Sequence, residues 1–332
     1  MTSPPHHPLQ PAAIRFRWTL LRAGTFRLDG GSMFGLIPRT VWTRAVTPDD
    51  RGRITVEHNC LLLEREGDGP GPGLVLIETG SGDKLDAKSK DIFAMQERSI
   101  LDALHAADAS PGDIGAVVVS HLHFDHAGGL TRLCRPGETP DWTPQSPSQG
   151  PPVKLTFPNA LVHTQRREWI DAVENHSVMT RTYFRDHLDP IRERVILADS
   201  PRPFPVGYIP GRDELPSTPV HNRIWPVPQA PGIGLILTPG HTWGQQAVVF
   251  TDTSDRTIVF VPDVMPTAAH VGAAYSLGYD VEPYTSMVSR HWLLRAAEEH
   301  GWVLVLDHEP GNPVRRVRSN DRGWFDLVED QA

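Results

Sequence analysis

Four potential metal ligands crowd into six positions of Ser120-His121-Leu122-His123-Phe124-Asp125-His126-Ala127-Gly128-Gly129, directly after the apolar run Ala116-Val117-Val118-Val119. Such a β-branched run predicts a strand covered on both faces, so the histidines begin where a buried strand ends. The four groups converge only if the backbone turns sharply, and Gly128 and Gly129 are expected to supply that freedom. Imidazole nitrogen and carboxylate oxygen are the usual ligands of catalytic zinc, which keeps one coordination position open for water. A lone histidine beside a strand is more often a packed or surface residue, but here four coincidences would be needed together.

The pattern of an apolar strand delivering a polar group at its end recurs three times downstream. Leu237-Thr238-Pro239-Gly240-His241-Thr242 places a histidine after a Pro-Gly turn. Ile258-Val259-Phe260-Val261-Pro262-Asp263 ends in a carboxylate, and Leu304-Val305-Leu306-Asp307-His308 ends in a histidine. Each alone reads as an ordinary loop residue. Added to the first cluster, His241, Asp263 and His308 complete enough donors for two coordination spheres.

Elsewhere the patterning predicts strands at residues 14–28, 53–64, 73–78, 114–120, 153–162, 234–237, 247–251, 257–261 and 302–306. Helices are expected at residues 91–107, 165–174 and 285–300, and a glycine-rich turn at Asp29-Gly30-Gly31. The Pro/Ser/Gly-rich stretches 133–152 and 200–231 read as long surface loops that shape a pocket. Strand-rich halves, each followed by helices, suggest two sheets packed together with helices outside. Residues 1–13 are expected to be a mobile arm, and residues 14–332 a single domain.

Composition narrows the partners. With 39% hydrophobic and 22% charged residues the chain suits an ordinary core rather than disorder. A formal charge of −8 without a basic cluster argues against nucleic acid. Cys60 and Cys134, the only two cysteines, are too few for a disulfide framework. The N-terminus lacks a signal-type apolar stretch and nothing approaches a membrane span, so a cytoplasmic setting without membrane association is the expectation.

HLHFDH, PGHT, Asp263 and His308, in that order, resemble the metallo-β-lactamase superfamily, for which the HxHxDH element is highly specific. The resemblance implies an α/β fold of the αββα type, two mixed sheets packed face to face between helices. It further implies that His121, His123 and His241 hold one divalent ion, that Asp125, His126 and His308 hold a second, and that Asp263 bridges them. Zinc is the default ion, with iron, manganese and cobalt compatible with the same donors. Asp125 and Asp263 are then catalytic as well as ligating, because two ions sharing a hydroxide generate a nucleophile near neutrality.

Leu28-Asp29-Gly30-Gly31-Ser32-Met33-Phe34-Gly35, Asn59-Cys60-Leu61-Leu62 and Asp263-Val264-Met265-Pro266-Thr267-Ala268-Ala269-His270 resemble quorum-quenching N-acyl-homoserine-lactone lactonases and methyl parathion hydrolase. This implies attack of the bridging hydroxide on a lactone carbonyl. Phosphotriester or aryl ester turnover is the alternative, and a non-catalytic metal- or ligand-binding protein a third reading that the intact ligand set disfavours. Many such lactonases carry a tyrosine three residues after the bridging aspartate, where this chain has Pro266; Tyr279 and His270 are the candidate replacements. Glu78-Thr79-Gly80 stands where the family often has Asp-Thr-Gly. Met33, Phe34, Trp42 and Met265 are read as an apolar wall or as core, and the N-terminal arm with Met33 and Phe34 also as contacts of a homodimer. His58, His163, His176, His187, His221 and His291 are read as structural or surface groups.

Overall fold

A computed structural model describes residues 14–174, 182–214, 220–227 and 229–330; the arm expected at residues 1–13 and His176 lie outside them. Among the described residues there are fifteen strands: β1 (Phe16–Asp29), β2 (Arg53–Arg65), β3 (Leu74–Ile77), β4 (Ile114–Val118), β5 (Thr131–Leu133), β6 (Val153–Leu155), β7 (Leu161–Gln165), β8 (Val195–Ala198), β9 (Trp225–Pro226), β10 (Gly234–Leu237), β11 (Gln246–Thr251), β12 (Thr257–Val261), β13 (Val303–Leu306), β14 (Val314–Ser319) and β15 (Phe325–Glu329). They form a six-stranded sheet in the order β1-β2-β3-β4-β7-β8, a seven-stranded sheet in the order β15-β14-β13-β12-β11-β10-β9, and the ribbon β5-β6. Both large sheets are mixed: β3, β4, β7 and β8 pair in parallel, as do β12 and β13, and the other neighbours are antiparallel.

Side-chain alternation makes three apolar layers. Leu61, Leu63, Val75, Ile77 and Val118 of the first sheet face Val248, Ile258, Phe260, Val303 and Val305 of the second. Their neighbours Leu62, Leu76 and Val117 point the other way, onto Leu104 of the helix Ile100–Ala106 and Trp169 of the helix Arg166–Glu174. Val259, Val261, Leu304 and Leu306 likewise pack on Val288, Trp292 and Leu293 of the helix Pro283–His300. Helix, sheet, sheet, helix is the expected αββα sandwich. The central strands read as continuous apolar runs because both of their faces are buried.

Several local expectations need correction. The stretch 91–107 is not one helix: the chain forms Ala87–Ile92 and Ile100–Ala106, and the second starts at a capping box in which Ser99 and Asp102 satisfy each other's backbone. Between them Gln96 accepts from Thr25 N of β1 at 3.0 Å, a tertiary contact that periodicity does not reveal. The strand expected at 153–162 is two, β6 and β7, separated by a turn containing Pro158, which lacks the N–H a continuous ladder needs. Asp29-Gly30-Gly31 opens the short helix Gly30–Phe34, with Asp29 Oδ1 capping Ser32 N at 2.7 Å. That helix feeds a fourth apolar cluster of Phe26, Met33, Phe34, Trp42, Ile54 and Leu277. Met33, Phe34, Trp42 and Met265 are at most 3% exposed. They are core, and neither an acyl-chain wall nor a dimer contact.

Among the described residues no helix is long and apolar enough to cross a membrane. Because Leu61 lies fully buried between the sheets, Leu61→Ala should cost about 2–5 kcal/mol of unfolding free energy. Urea denaturation of the metal-free protein measures this; a change under about 1 kcal/mol would contradict a close-packed interface there.

Candidate metal centre

The first four donors follow β4 in an extended entry, and Asp125 and His126 lie in the single turn Phe124–Ala127. The glycines after them act differently from expectation. Gly128 has φ −62° and ψ −35°, a conformation open to any residue. What excludes a side chain is close approach: a Cβ on Gly128 would sit 2.2 Å from Ser81 O, and one on Gly129 2.2 Å from Thr79 O. The motif is thus pressed against the segment after β3. Glu78, at the tip of that strand, holds a positive φ of 66°, which costs a residue with a Cβ about 1–3 kcal/mol. In that conformation its carboxylate accepts from Ser120 N at 2.6 Å and His126 Nδ1 at 3.2 Å.

The second sheet supplies the remaining donors at its strand ends: His241 after β10, Asp263 after β12, His308 after β13. Asp263 is the hub. Its Oδ2 lies 3.1 Å from His241 Nε2, 3.5 Å from His126 Nε2 and 3.6 Å from His121 Nε2, and its Oδ1 lies 3.5 Å from His308 Nε2. Two quartets of donor atoms, each with all members within 4.8 Å of one another, share it: His121, His123, His241 and Asp263, and His126, Asp263, Asp307 and His308. Asp125 stands beside the second, 3.6 Å from His308 Nε2 and 3.8 Å from His126 Nε2. The structure therefore brings all seven sequence-predicted donors together. It adds Asp307, a carboxylate at the end of an all-apolar strand whose position was itself the available signal.

Tautomers are fixed from outside. His126 Nδ1 donates to Glu78, His241 Nδ1 donates to Asp280 Oδ1 at 3.0 Å, and His308 Nδ1 donates to the Glu57 carbonyl at 2.8 Å. Each commitment leaves Nε2 facing the Asp263 carboxylate, where it can take a proton or a metal ion. Lone pairs facing a carboxylate in a buried space repel one another unless positive charge lies between them. Nε2 of His121, His126 and His308 is buried without a hydrogen-bond partner. Divalent ions fit this donor set, and nitrogen with oxygen donors suits zinc, manganese and iron alike.

Without a metal, protons on two of these imidazoles meet part of that demand for positive charge. Burial lowers His121 and His123 well below the ordinary histidine range, reinforced by neighbouring imidazoles. Burial acts on His241 too, but Asp263 and Asp280 outweigh it and push this group up to about 10. In His126, burial is overcome by Asp125 and Glu78, and the net shift is upward. Asp263 is held well below the usual carboxylate range because His241 and His308 outweigh its burial.

Glu168 ties the two halves together. Completely buried on the helix Arg166–Glu174, it accepts from Leu122 N at 2.9 Å, Tyr183 Oη at 3.2 Å and Thr242 Oγ1 at 2.6 Å. Leu122 separates His121 from His123, and Thr242 follows His241, so one carboxylate fixes both loops of the first quartet. No motif marks it in the sequence.

The two candidate donors differ. His270 is fully buried, stacks on Phe34 at 4.6 Å, meets Thr267 Oγ1 at 2.8 Å and donates from Nε2 to Met33 O at 2.9 Å. Both ring nitrogens are occupied, so His270 has no group to offer a substrate and is structural. Tyr279 is 40% exposed. Burial of part of its ring, with the charges of Asp29, Asp125 and Asp263, raises its phenol to about 12. Phe93, Phe124 and Phe184, all partly exposed, adjoin one another beside His123 and Asp125, with centroids 5.2 Å and 6.1 Å apart along the row.

This chain belongs to the metallo-beta-lactamase superfamily, whose sequence profile it matches over residues 54–308. Its fold is shared by a probable metal-dependent hydrolase from Staphylococcus aureus at 22% identity and TM-score 0.71, the alignment covering 98% of this chain and 100% of that one. AidC, a dizinc quorum-quenching lactonase, aligns at 18% identity and TM-score 0.64 over 96% and 99% of the two chains. An N-acyl homoserine lactone lactonase aligns at 19% and 0.59 over 90% and 93%. The chain is a hydrolase of this superfamily with His and Asp groups arranged for metal binding.

Glu168→Ala leaves three buried donors without an acceptor, each costing about 1–3 kcal/mol. Urea denaturation without metal should show a loss of about 3 kcal/mol or more, while Glu168→Gln, which keeps an acceptor for Leu122 N, should lose less than half of that.

Proposed function

We propose that this protein is a dinuclear metal-dependent hydrolase that opens a lactone ring, with an N-acyl homoserine lactone as the substrate class. The observation that carries the reading is the sharing of Asp263 between two quartets of buried donors whose lone pairs converge on it. His121, His123 and His241 would hold one ion, Asp125, His126 and His308 the other, with Asp263 between them. Bound divalent ions would lower the pKa of water and polarise the carbonyl under attack.

The chain's own residues supply the rest. Pro266 offers no side-chain donor, and its carbonyl instead accepts from His308 N at 3.0 Å. The Tyr279 phenol, protonated at neutral pH, would donate a hydrogen bond to the substrate's oxygen. Phe93, Phe124 and Phe184 present an apolar surface for an acyl chain next to the donors. The likeness of the fold to lactonases supports the choice of a lactone over a phosphotriester. A cytoplasmic location and action on a small molecule are part of this proposal.

Exhaustive chelation should abolish hydrolysis of a long-chain homoserine lactone, and added zinc or manganese should restore it. His123→Ala should remain inactive with either ion. An aryl phosphotriester should turn over more slowly than the lactone; the reverse order would reassign the substrate, and full activity after chelation would end the metal-dependent reading. Tyr279→Phe should lower kcat by about 100-fold with metal content unchanged; kcat within about twofold of wild type removes Tyr279 from the reaction.

A further inference from the structure

We infer that Asp307 is a direct oxygen ligand of the ion held by His126 and His308, and that it biases this second subsite toward hard ions such as manganese(II) or iron(II) over zinc. The inference rests on the dinuclear reading above and deepens it.

Strand parity places the side chain. In β13, Val303 and Val305 point between the sheets, whereas Leu304 and Leu306 point to the outer helix. Asp307 continues the inward series, and its N–H still donates to Val261 O at 3.1 Å, so the strand geometry holds to that residue. The carboxylate therefore enters the space under the strand ends, where one of its oxygens lies within 4.8 Å of donor atoms of His126, Asp263 and His308. Two ligands of one ion, each about 2.1 Å away, stand at most about 4.2 Å apart. Small side-chain adjustments bring the quartet into that span.

The hydrogen-bond accounting points the same way. Asp307 is 1% exposed, and neither of its oxygens has a hydrogen-bond partner. Two other buried carboxylates nearby, Glu78 and Glu168, have two and three donors respectively. An ionised carboxylate in such a place requires a cation or donors, and the unpartnered Nε2 atoms of His126 and His308 face the same space. With Asp125 alongside, the second subsite has three carboxylates and two imidazoles within reach, against one carboxylate and three imidazoles in the first. Oxygen-rich sites of higher coordination number favour harder ions.

The test compares wild type with Asp307→Asn and Asp307→Ser as whole proteins, first stripped of metal. Elemental analysis and chelator competition with manganese and zinc give stoichiometry and affinity for each ion. Wild type should bind two ions. Both variants should keep the first and bind the second more than about 100-fold more weakly, with the larger loss for manganese. In the cobalt(II)-loaded forms, loss of a ligand should intensify the visible bands toward a four-coordinate spectrum. Melting of the metal-free proteins separates a ligand from a structural group: without metal the variants should melt no lower than wild type, since a buried ionisable group without donors has been replaced by a neutral one. Wild type that binds fewer than two ions overturns the dinuclear reading itself. Wild type with two, and variants with unchanged second-ion affinity and cobalt spectrum, overturn the role of Asp307 alone.

Discussion

Negative charge and lone pairs gathered in a dry space govern this structure. Four imidazoles turn nitrogen toward one carboxylate, and the partners behind them, Glu78, Asp280 and the Glu57 carbonyl, leave three of those rings no alternative tautomer. Such an arrangement needs compensating positive charge, from protons or from metal cations. Everything that rigidifies the strand ends, from the inter-sheet core to the Glu168 clamp, holds the groups in this unfavourable proximity. The sandwich stabilises the centre in a way that no isolated loop could.

The helices and sheets serve that purpose unequally. The central strands β3, β4, β12 and β13 are short, buried over all but one residue at most, and stop at the same edge of the sandwich, so their termini act as fixed points for side chains. Close backbone approach at Gly128 and Gly129, rather than unusual torsion, seats the HxHxDH turn against Ser81 and Thr79. The strain falls on Glu78, whose positive φ aims a carboxylate at the back of the turn. Backbone strain next to a functional cluster is commonly retained because the orientation it enforces is needed.

Much of this was legible in the chain. The seven ligand candidates announced themselves because apolar runs make a following histidine or aspartate conspicuous, and β10 and β12 begin and end where patterning places them. The split of residues 91–107 was hidden, since it depends on Gln96 reaching β1. Glu168 was hidden because a glutamate on a helix looks like any solvated charge until its three donors are seen. Asp307 was overshadowed by His308 beside it. His270 looked available only because its partners Thr267 and Met33, the latter 237 positions away in the chain, do not show in the sequence.

The two large sheets draw on separate halves of the chain, the first from Phe16 to Ala198 and the second from Trp225 to Glu329. His121, His123, Asp125 and His126 therefore belong to one half, and His241, Asp263, Asp307 and His308 to the other. Each quartet of donors draws on both halves. An ion seated there would be a rivet between two separately encoded layers, and its capture would register that they have docked.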